Sequence, residues 1–372
     1  MRWMEKVKLS DICSPKQWKT IPTSDLLNEG YPVYGANGII GYYNEYNHEN
    51  PVVTVTCRGA TCGSINITVP KAYVTGNAMC LDDLKNDIEI EYLYYCLKHY
   101  DFKNVISGSA QPQITRQGMD KIYIMLCSRE EQRDIVNKLK KTEKVIKLRK
   151  QKLQLLDDLV NARFVEMFGD PIHNPLGWDM VTFDECLTSI ENGKSFVCDS
   201  NAREGEHPGI LKLSAATYGV YKPEENKAII DSNDFVKSAE VHNGDLLFTR
   251  KNTPELVGMA AYVEITPNKL MMPDLIFRLN TNSKCNKIYM WKLINHDLYR
   301  RQVESAASGS AKSMSNISKE RLGRLRLPLP PIKLQNEFAD FVKQVNKSKV
   351  EIQKALDKTQ MLFDSLMQEY FG

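Results

Sequence analysis

The sequence predicts an α+β protein with two globular domains of short strands and helices, separated by two long antiparallel coiled-coil helices and related by an internal pseudo-two-fold duplication. Three observations predict this fold class. The 372-residue chain contains two halves with the same order of segments. Each half begins with a stretch rich in Gly, Asn, Tyr and short β-branched runs. Each half closes with about 40 residues that lack Gly and Pro.

The duplication is visible as a constant register between two parts of the chain. Residues 114–169 can be laid on residues 317–372 at an offset of 203 without a gap. The matched pairs include Gln132 with Gln335 and, at the ends, two Phe-Gly dipeptides. A register that never slips over this length predicts that both halves share one fold.

Further matches occur upstream of this register. SGSAQPQI, which ends at Ile114, has a counterpart in SGSAKSMSNI, which ends at Ile317. VTVTCRGA also resembles LLFTRKN, a match that pairs Arg58 with Arg250. The matches keep the same order in both halves, which independent similarity between two long helices would not produce.

The two stretches without Gly and Pro, 129–168 and 332–371, are predicted to be single helices of about 60 Å each. Apolar residues recur every seven positions in the first stretch, which is the pattern of a coiled-coil seam. The offset of 203 carries this stripe onto the second stretch, where further apolar residues lie beside it. The seam positions are Leu139, Ile146, Leu153, Val160 and Met167 in the first helix and Val342, Lys349, Leu356, Phe363 and Tyr370 in the second, beside Phe338, Val345, Ile352 and Leu366.

The globular parts are predicted from short apolar runs separated by turn residues. Strand candidates are PVVTVTCRG, SINITVP and KIYIMLC in the first half and KAII, GDLLFTR and GRLRLPLP in the second. Helices are expected near 89–99 and 286–304. The predicted division is 1–128 for the first globular domain, 129–169 for the first long helix, 170–330 for the second globular domain and 331–372 for the second long helix.

Composition limits the possible classes of protein. A net charge of +3 from 49 basic and 46 acidic residues neither demands nor excludes a nucleic-acid partner. The N-terminal MRWMEKVKL lacks the apolar core of a signal peptide, and no run of 18 apolar residues occurs. A cytoplasmic protein without a membrane partner is therefore expected. The nine cysteines never form C-x-x-C and the six histidines are isolated, so we expect buried thiols and no metal ligands.

Catalytic motifs are incomplete wherever the sequence approaches one. SIENGKS ends like a phosphate-binding loop, but Thr188 stands where that loop needs its first glycine. GANGIIG lacks the G-x-G-x-x-G spacing, and NPLGW departs from the Asn-Pro-Pro-aromatic motif of amino-methyltransferases at Leu176 and Gly177. We therefore predict no catalytic residue, no metal and no cofactor in this chain.

The order of a variable domain, a long helix, a second variable domain and a second long helix resembles the specificity subunit of type I restriction–modification enzymes. GW opens the second domain and LPLPP leads into the last helix, as in that family. The resemblance covers the whole chain and lies in architecture more than in single residues. The chain departs from the family pattern at CSREEQ, where a Pro-Pro-rich turn is usual, and at IKLQ, which lacks the acidic residue before its glutamine.

This resemblance implies a function and a set of partners. Each variable domain would recognise one half of a split, asymmetric target in double-stranded DNA. The helices would set the distance between the halves and dock two DNA methyltransferase subunits, through which restriction motor-nuclease subunits would join. The chain itself would be a non-catalytic recognition subunit.

Candidate DNA contacts follow from the chemistry of the duplex. Lys and Arg bind phosphates, whereas Arg, Lys, Asn, Gln, Ser and Thr also contact base edges in the major groove. Arg58 and Arg250 rank highest, because the repeat places both directly after a strand. A solvated loop residue is the alternative interpretation for each candidate. The candidates are Asn37, Arg58, Gln111 and Gln113 in the first domain and Lys194, Lys212, Arg250, Lys251, Asn252, Lys312 and Ser313 in the second.

Two alternatives stay open from the sequence. The first long helix carries eight Lys or Arg residues between positions 138 and 152. Such a run is either a solvated helix face or a surface that neutralises DNA phosphates. The chain as a whole also fits a different class of function, a coiled-coil scaffold that binds proteins through two globular heads and has no role at DNA.

Overall fold

The computed structural model describes residues 4–108, 111–308 and 314–372. Contacts divide the chain into two compact units, Met1–Gln151 with Ile352–Gly372 and Lys152–Glu351. Each unit therefore contains one globular part and portions of both long helices. The four-segment division along the chain stays a prediction, whereas the α+β fold class with two long helices is confirmed.

The globular part of the first unit is built around a four-stranded antiparallel sheet, which we name its central sheet. Val53–Thr56 lies inside this sheet, and all four of its residues are buried, an environment that suits β-branched side chains. A three-stranded sheet and two strand pairs supply the remaining strands of the described residues. The central sheet runs Ser14–Gln17, Ala78–Asp82, Val53–Thr56, Ile65–Ile67; the three-stranded sheet runs Gly38–Tyr43, Tyr31–Gly35, Tyr73–Val74; the pairs are Glu5–Lys8 with Tyr123–Leu126 and Ile106–Ser107 with Gln113–Ile114; the short helices are Leu9–Ile12, Ile90–His99 and Arg116–Met119, with 3-10 turns at Thr23–Asp25 and Phe102–Asn104.

The globular part of the second unit repeats this plan. Its own central sheet is again antiparallel, with the buried strand Leu246–Thr249 inside it. A three-stranded sheet again contains one parallel and one antiparallel pair. The central sheet runs Leu187–Asn192, Ile276–Thr281, Leu246–Thr249, Ala260–Tyr262; the three-stranded sheet runs Asn226–Ala228, Gly209–Leu211, Leu270–Met271; the pairs are Asp179–Thr182 with Arg326–Leu329 and Lys251–Asn252 with Ser315–Asn316; the short helices are Phe183–Cys186, Lys287–Ile294, Asp297–Ser305 and Lys319–Gly323, with 3-10 turns at Leu213–Ala215, Ser232–Asp234 and Lys237–Ala239.

The two central sheets also share one pairing register. Thr56 lies opposite Ala78 in the first sheet, and Thr249 lies opposite Ile276 in the second. Because cross-strand pairing advances one residue at a time, these pairs make the remaining positions equivalent as well. The internal duplication is therefore confirmed at the level of the sheet. Equivalent positions include Lys16 and Glu191, Cys80 and Arg278, and Asp82 and Asn280.

The long helices span Arg129–Phe168 and Ile332–Phe371, the bounds that the sequence predicts. A buried glutamine near the start of each anchors it to the globular part. Gln132 accepts a hydrogen bond from the backbone N–H of Glu89 (2.9 Å), and Gln335 accepts one from Asn286 (2.8 Å). Each side chain also donates to two backbone carbonyls, those of Asp87 and Cys127 for Gln132 and those of Lys284 and Pro330 for Gln335.

Within each unit the predicted seam faces the partner helix. In the second unit, Asp157 accepts a hydrogen bond from Lys349 (2.6 Å), while the Phe164 ring lies 5.6 Å from that of Phe338. The numbers rise along one helix as they fall along the other, so the helices are antiparallel. In the first unit, Arg149 donates to a backbone carbonyl of the second long helix. The charged seam position Lys349 is thus explained by its ion pair.

All nine cysteines are free thiols. Six are buried, as the sequence predicts, whereas Cys62, Cys127 and Cys198 are only half-buried. In the part of the chain that the structure describes, no helix is both long enough and apolar enough to span a membrane.

Candidate nucleic-acid interface

In the first unit, the segment around Gln113 returns to the end of a central-sheet strand. Arg58 forms an antiparallel bridge with Gln113, and the N–H of Ile114 donates to the carbonyl of Cys57 (3.0 Å). Gly59 follows with φ +87°, a left-handed conformation that lets the chain turn directly after Arg58. The side chains of Arg58, Gln111 and Gln113 are exposed. The structure therefore brings these three predicted residues onto one loop cluster.

Asn37 belongs to the same cluster. It lies in the tight turn between the strands Tyr31–Gly35 and Gly38–Tyr43, and it is exposed. Its Oδ1 accepts a hydrogen bond from Thr61, a residue of the loop that Arg58 begins. The backbone carbonyl of Ala36 is also held by Thr56, at the end of the central strand. All four first-domain candidates thus lie near the same end of that strand.

The electrostatics of this cluster favour an anion. Among the described residues no acidic side chain forms an ion pair with Arg58, whose charge therefore remains available. The neighbouring thiol of Cys57 does not offset that charge. Burial raises the pKa of Cys57, an effect that exceeds the lowering by the hydrogen bond from Gln17 and by Arg58 itself, so the thiol is neutral at neutral pH.

The second unit has the same arrangement at the equivalent strand end. Lys251 pairs with Asn316, and the N–H of Ile317 donates to the carbonyl of Arg250 (2.8 Å). Comparison with the first unit makes Lys251, and not Arg250, the equivalent of Arg58. The sequence match that paired Arg58 with Arg250 is therefore wrong by one residue. It matched arginine with arginine, whereas VTVTCR laid on LLFTRK without a gap pairs Arg58 with Lys251, as the strands do.

Arg250 instead occupies the position of Cys57 and is half-buried. Its guanidinium lies over the ring of Phe277 (5.0 Å to the centroid) and donates to Oδ1 of Asn316 at 3.2 and 3.3 Å. Asn316 is equivalent to Gln113 and was missed by sequence reasoning. The signal that could have found it is its place directly before Ile317, which matches Gln113 before Ile114 at the offset of 203.

The remaining second-domain candidates differ in their exposure. Lys194 is exposed. The N–H of the preceding Gly193 donates to the carbonyl of Ile276 (3.3 Å), so Lys194 and Arg250 lie on opposite sides of the strand Ile276–Thr281. Lys212 is half-buried, and its ammonium lies 3.8 Å from a carboxylate oxygen of Glu225. An acidic neighbour at that distance reduces its attraction for a phosphate.

Asn252 does not face solvent. It is 9% exposed, its amide donates to the hydroxyl of Thr217 (3.2 Å), and its Oδ1 accepts from the N–H of Thr253 (2.9 Å). We therefore remove it from the candidates, because its hydrogen-bonding groups are used inside the fold. Two further candidates, Lys312 and Ser313, lie outside the described residues.

Two cations of the basic run on the first long helix have partners within the fold, and six have none among the described contacts. Lys140 pairs with Glu91, and Arg149 binds the carbonyl of Ala355 at 2.6 Å, so these two cations stabilise the first unit. The other six cations of the run are exposed: Lys138, Lys141, Lys144, Lys147, Lys150 and Lys152. These six residues fit either a solvated helix face or a surface that neutralises DNA phosphates.

Comparison with known proteins bears directly on this arrangement. Residues 1–157 and 175–359 match the model of the family described as the type I restriction modification DNA specificity domain. The chain belongs to this family. The resemblance inferred from the segment order is thereby confirmed, and the two matched stretches include the two strand ends that carry Arg58 and Lys251.

Curated members of the family are similar over parts of their length. The chain is 31% identical over 202 residues to the type I restriction enzyme EcoEI specificity subunit of Escherichia coli, covering 53% of this chain and 34% of that protein. It is 23% identical over 232 residues to the EcoKI specificity subunit of the same species, covering 60% of this chain and 49% of that protein. The matches thus span about a third and about half of these relatives.

Solved structures show the same fold over the whole chain. A type I restriction–modification S subunit from M. genitalium superposes with a TM-score of 0.66 at 15% identity, covering 100% of this chain and 96% of that one. A chain from a structure of the assembly and conformational transition of the type I R-M system gives 0.55 at 16% identity, covering 99% and 97%.

Proposed function

We propose that the chain is the non-catalytic DNA specificity subunit of a type I restriction–modification complex, and that each globular part recognises one half of a bipartite, asymmetric target. The observation that carries this proposal is the repeated strand end. Arg58 lies beside Gln113 in one unit, and Lys251 lies beside Asn316 at the equivalent place in the other.

These two pairs support two different half-sites. Each pair combines a cation with an amide, and both side-chain types bind base edges as well as phosphates. The positions are equivalent, yet Arg and Gln differ from Lys and Asn in reach and hydrogen-bonding geometry. Equivalent surfaces with different chemistry are what an asymmetric target requires of a duplicated protein.

An exposed apolar stripe on the first long helix supports the docking of protein partners. Val145, Leu148, Leu155 and Leu159 are exposed, and Leu155 reaches 65% exposure. Apolar residues that cluster on a surface indicate an interface with another protein. In our proposal this stripe contributes to binding two DNA methyltransferase subunits, through which restriction subunits join in the cytoplasm.

The first prediction tests the two surfaces with Arg58→Ala and Lys251→Ala, each purified with the methyltransferase partner. Loss of a good base contact should cost about 1–3 kcal/mol, or roughly five- to 150-fold in Kd. Each variant should lose discrimination in a different half-site, as measured by binding to DNA libraries randomised in one half at a time. Loss of a phosphate contact would instead weaken binding to all sequences and reduce its salt dependence.

Lys121→Ala and Lys237→Ala are the matched controls, because both lysines are exposed and lie outside the strand ends. Both should bind as the unchanged chain does. If both test variants affect the same half-site, the proposed division of the target is contradicted. If no preparation binds DNA in a sequence-dependent way, the scaffold alternative is favoured.

The second prediction concerns the helices as a spacer. We propose inserting seven residues after Lys150 and seven after Gln353, which preserves the seven-residue seam in both helices. The insertion adds about 10 Å, or about three base-pair rises. Mapping of modified sites should show a longer spacer between unchanged half-sites. An unchanged spacer in an active complex would contradict the role of the helices.

A further inference from the structure

Nitrogen, sulfur and oxygen donors converge in the first unit. His48, Cys80 and Asp82 each offer one ligand atom, and these atoms lie within 4.8 Å of one another. Cys80 and Asp82 alternate on a central-sheet strand and therefore face the same side. His48 belongs to the segment before Val53–Thr56 and forms a bridge with Ala72. The Cys80 side chain is fully buried, and those of His48 and Asp82 are only 10% and 13% exposed.

The tautomer of His48 follows from its neighbours. The amide of Asn47 is oriented by Val74, whose N–H donates to Oδ1 (2.8 Å) and whose carbonyl accepts from Nδ2 (3.0 Å). Oδ1 of Asn47 also lies 2.6 Å from Nδ1 of His48. Because Oδ1 can only accept, Nδ1 must carry the hydrogen of this contact.

A neutral His48 then directs the lone pair of Nε2 at Asp82. Its Nε2 lies 3.0 Å from Oδ1 of that carboxylate, which is also an acceptor. Because both atoms are hydrogen-bond acceptors, a proton or a metal cation must bind between them. Either His48 carries a second proton or a cation binds both atoms. Cys80 packs in the apolar cluster with Val52 and Val74, and its sulfur also supplies a third donor that a metal cation, unlike a proton, would bind.

The surroundings also match those of a metal site. Ligating histidines usually donate their other ring N–H to an oxygen, and ligating carboxylates accept further hydrogen bonds. His48 donates to Asn47, and Oδ2 of Asp82 accepts from the indole N–H of Trp18 (3.0 Å). The ammonium of Lys16 lies over the Trp18 ring at 3.7 Å, and among the described residues it forms no ion pair with Asp82.

The second unit has a different set of side chains at the equivalent position. Arg278 stands where the first unit has Cys80, and its guanidinium donates to Asp245 (2.9 Å) and Glu191 (2.8 Å). Asn280 stands where the first unit has Asp82. The buried Asp245 and the half-exposed Glu191 are thus neutralised by a protein cation at this position, where the first unit has a thiol.

We propose that His48, Cys80 and Asp82 bind a first-row divalent cation, and that Zn²⁺ is the best match. Zinc takes sulfur, nitrogen and oxygen ligands in one tetrahedral site, and a water would supply the fourth ligand. Binding forms a zinc–sulfur bond and releases the thiol proton of Cys80 to solvent. The ion would join the segment of His48 to the central sheet in this unit alone. Sequence reasoning excluded metal ligands because residue 48 lies far along the chain from residues 80 and 82.

The experiment measures metal binding by the full, untagged chain. After equilibration with Zn²⁺ and removal of free metal, elemental analysis should find one bound ion per chain. With Co²⁺ in place of Zn²⁺, the spectrum should show a thiolate-to-cobalt charge-transfer band in the near ultraviolet. Absence of bound metal at micromolar Zn²⁺ would overturn the proposal, and this result depends on no variant.

Variants assign the ligands. Cys80→Ala should abolish the charge-transfer band, and His48→Gln should weaken cobalt binding at least tenfold. Asn47→Ala, which removes only the partner of His48, should weaken it by about 10- to 100-fold. Cys285→Ala removes a buried thiol of the second unit and should leave the band unchanged. A band that persists in Cys80→Ala, or hydrogens on both ring nitrogens of His48 in the zinc-saturated chain, would overturn the assignment.

Discussion

At one inward position of the central sheet the first unit carries Cys80 and the second carries Arg278. The cysteine lies beside a His48–Asp82 pair, whereas the arginine joins Asp245 to Glu191. The glutamine anchors of the long helices, in contrast, make the same three hydrogen bonds in both units. The two units therefore share the hydrogen bonds that hold their main chains together but differ in their buried polar side chains. Such differences are tolerated when each buried charge keeps a partner.

The strongest test of this comparison is the loss of the arginine. Arg278→Met leaves Asp245 buried without its cation, which should destabilise the second unit by about 3–5 kcal/mol. Cys80→Ala at the equivalent position, studied without metal, should cost only about 1–2 kcal/mol, because it removes one small buried atom. Hydrogen exchange of the two central sheets measures both effects separately. Equal effects would show that the two interiors do not differ as described.

The anchors provide a test of what the units share. Gln132→Met and Gln335→Met each leave a buried N–H and two carbonyls without their partner, at a cost of about 1–3 kcal/mol. The two costs should agree, because the hydrogen bonds are the same. Gln151→Met, at an exposed site on the first long helix, is the control and should change stability by about 0.5 kcal/mol or less. Urea unfolding measures all three, and a one-sided effect would contradict equivalent anchoring.

A smaller contrast concerns the short helices that pack near each anchor. The hydroxyls of Tyr92 and Tyr289 donate to the carbonyls of Met125 (2.7 Å) and Pro328 (2.6 Å), positions that the repeat makes equivalent. Three residues after these tyrosines, the first unit has Tyr95 and the second has Lys292. Burial lowers the pKa of Lys292 to about 8, an effect larger than the opposing attraction of Asp157.

This depressed pKa predicts that Lys292, which has a tyrosine as its equivalent in the first unit, contributes to the pH dependence of stability. Between about pH 8 and the ordinary lysine value near 10.5, Lys292 binds more protons in the unfolded chain than in the folded one, so the contribution of this residue to the free energy of unfolding should rise with pH. Lys292→Met should remove this contribution and stabilise the second unit at pH 7, by only about 1–2 kcal/mol because the residue is partly exposed. Unfolding at a series of pH values checks this, and a variant that keeps the same slope would assign the rise to another group.

Sequence patterns alone were enough to predict the duplication, both long helices with their bounds and the inward-facing seam. These features depend on local periodicity, on the absence of Gly and Pro and on a constant offset, all of which can be counted along the chain. The anchors at Gln132 and Gln335 could also be found as a matched pair, although their hydrogen bonds could not.

The side-chain contacts at the strand ends, in contrast, depend on how distant segments pair in the folded chain. The burial of Asn252 and the contact of Arg250 with Asn316 both depend on cross-strand pairing between segments far apart in sequence. The convergence of His48 with Cys80 and Asp82 has the same cause, because strand pairing and a returning segment bring together donors that sequence spacing keeps apart.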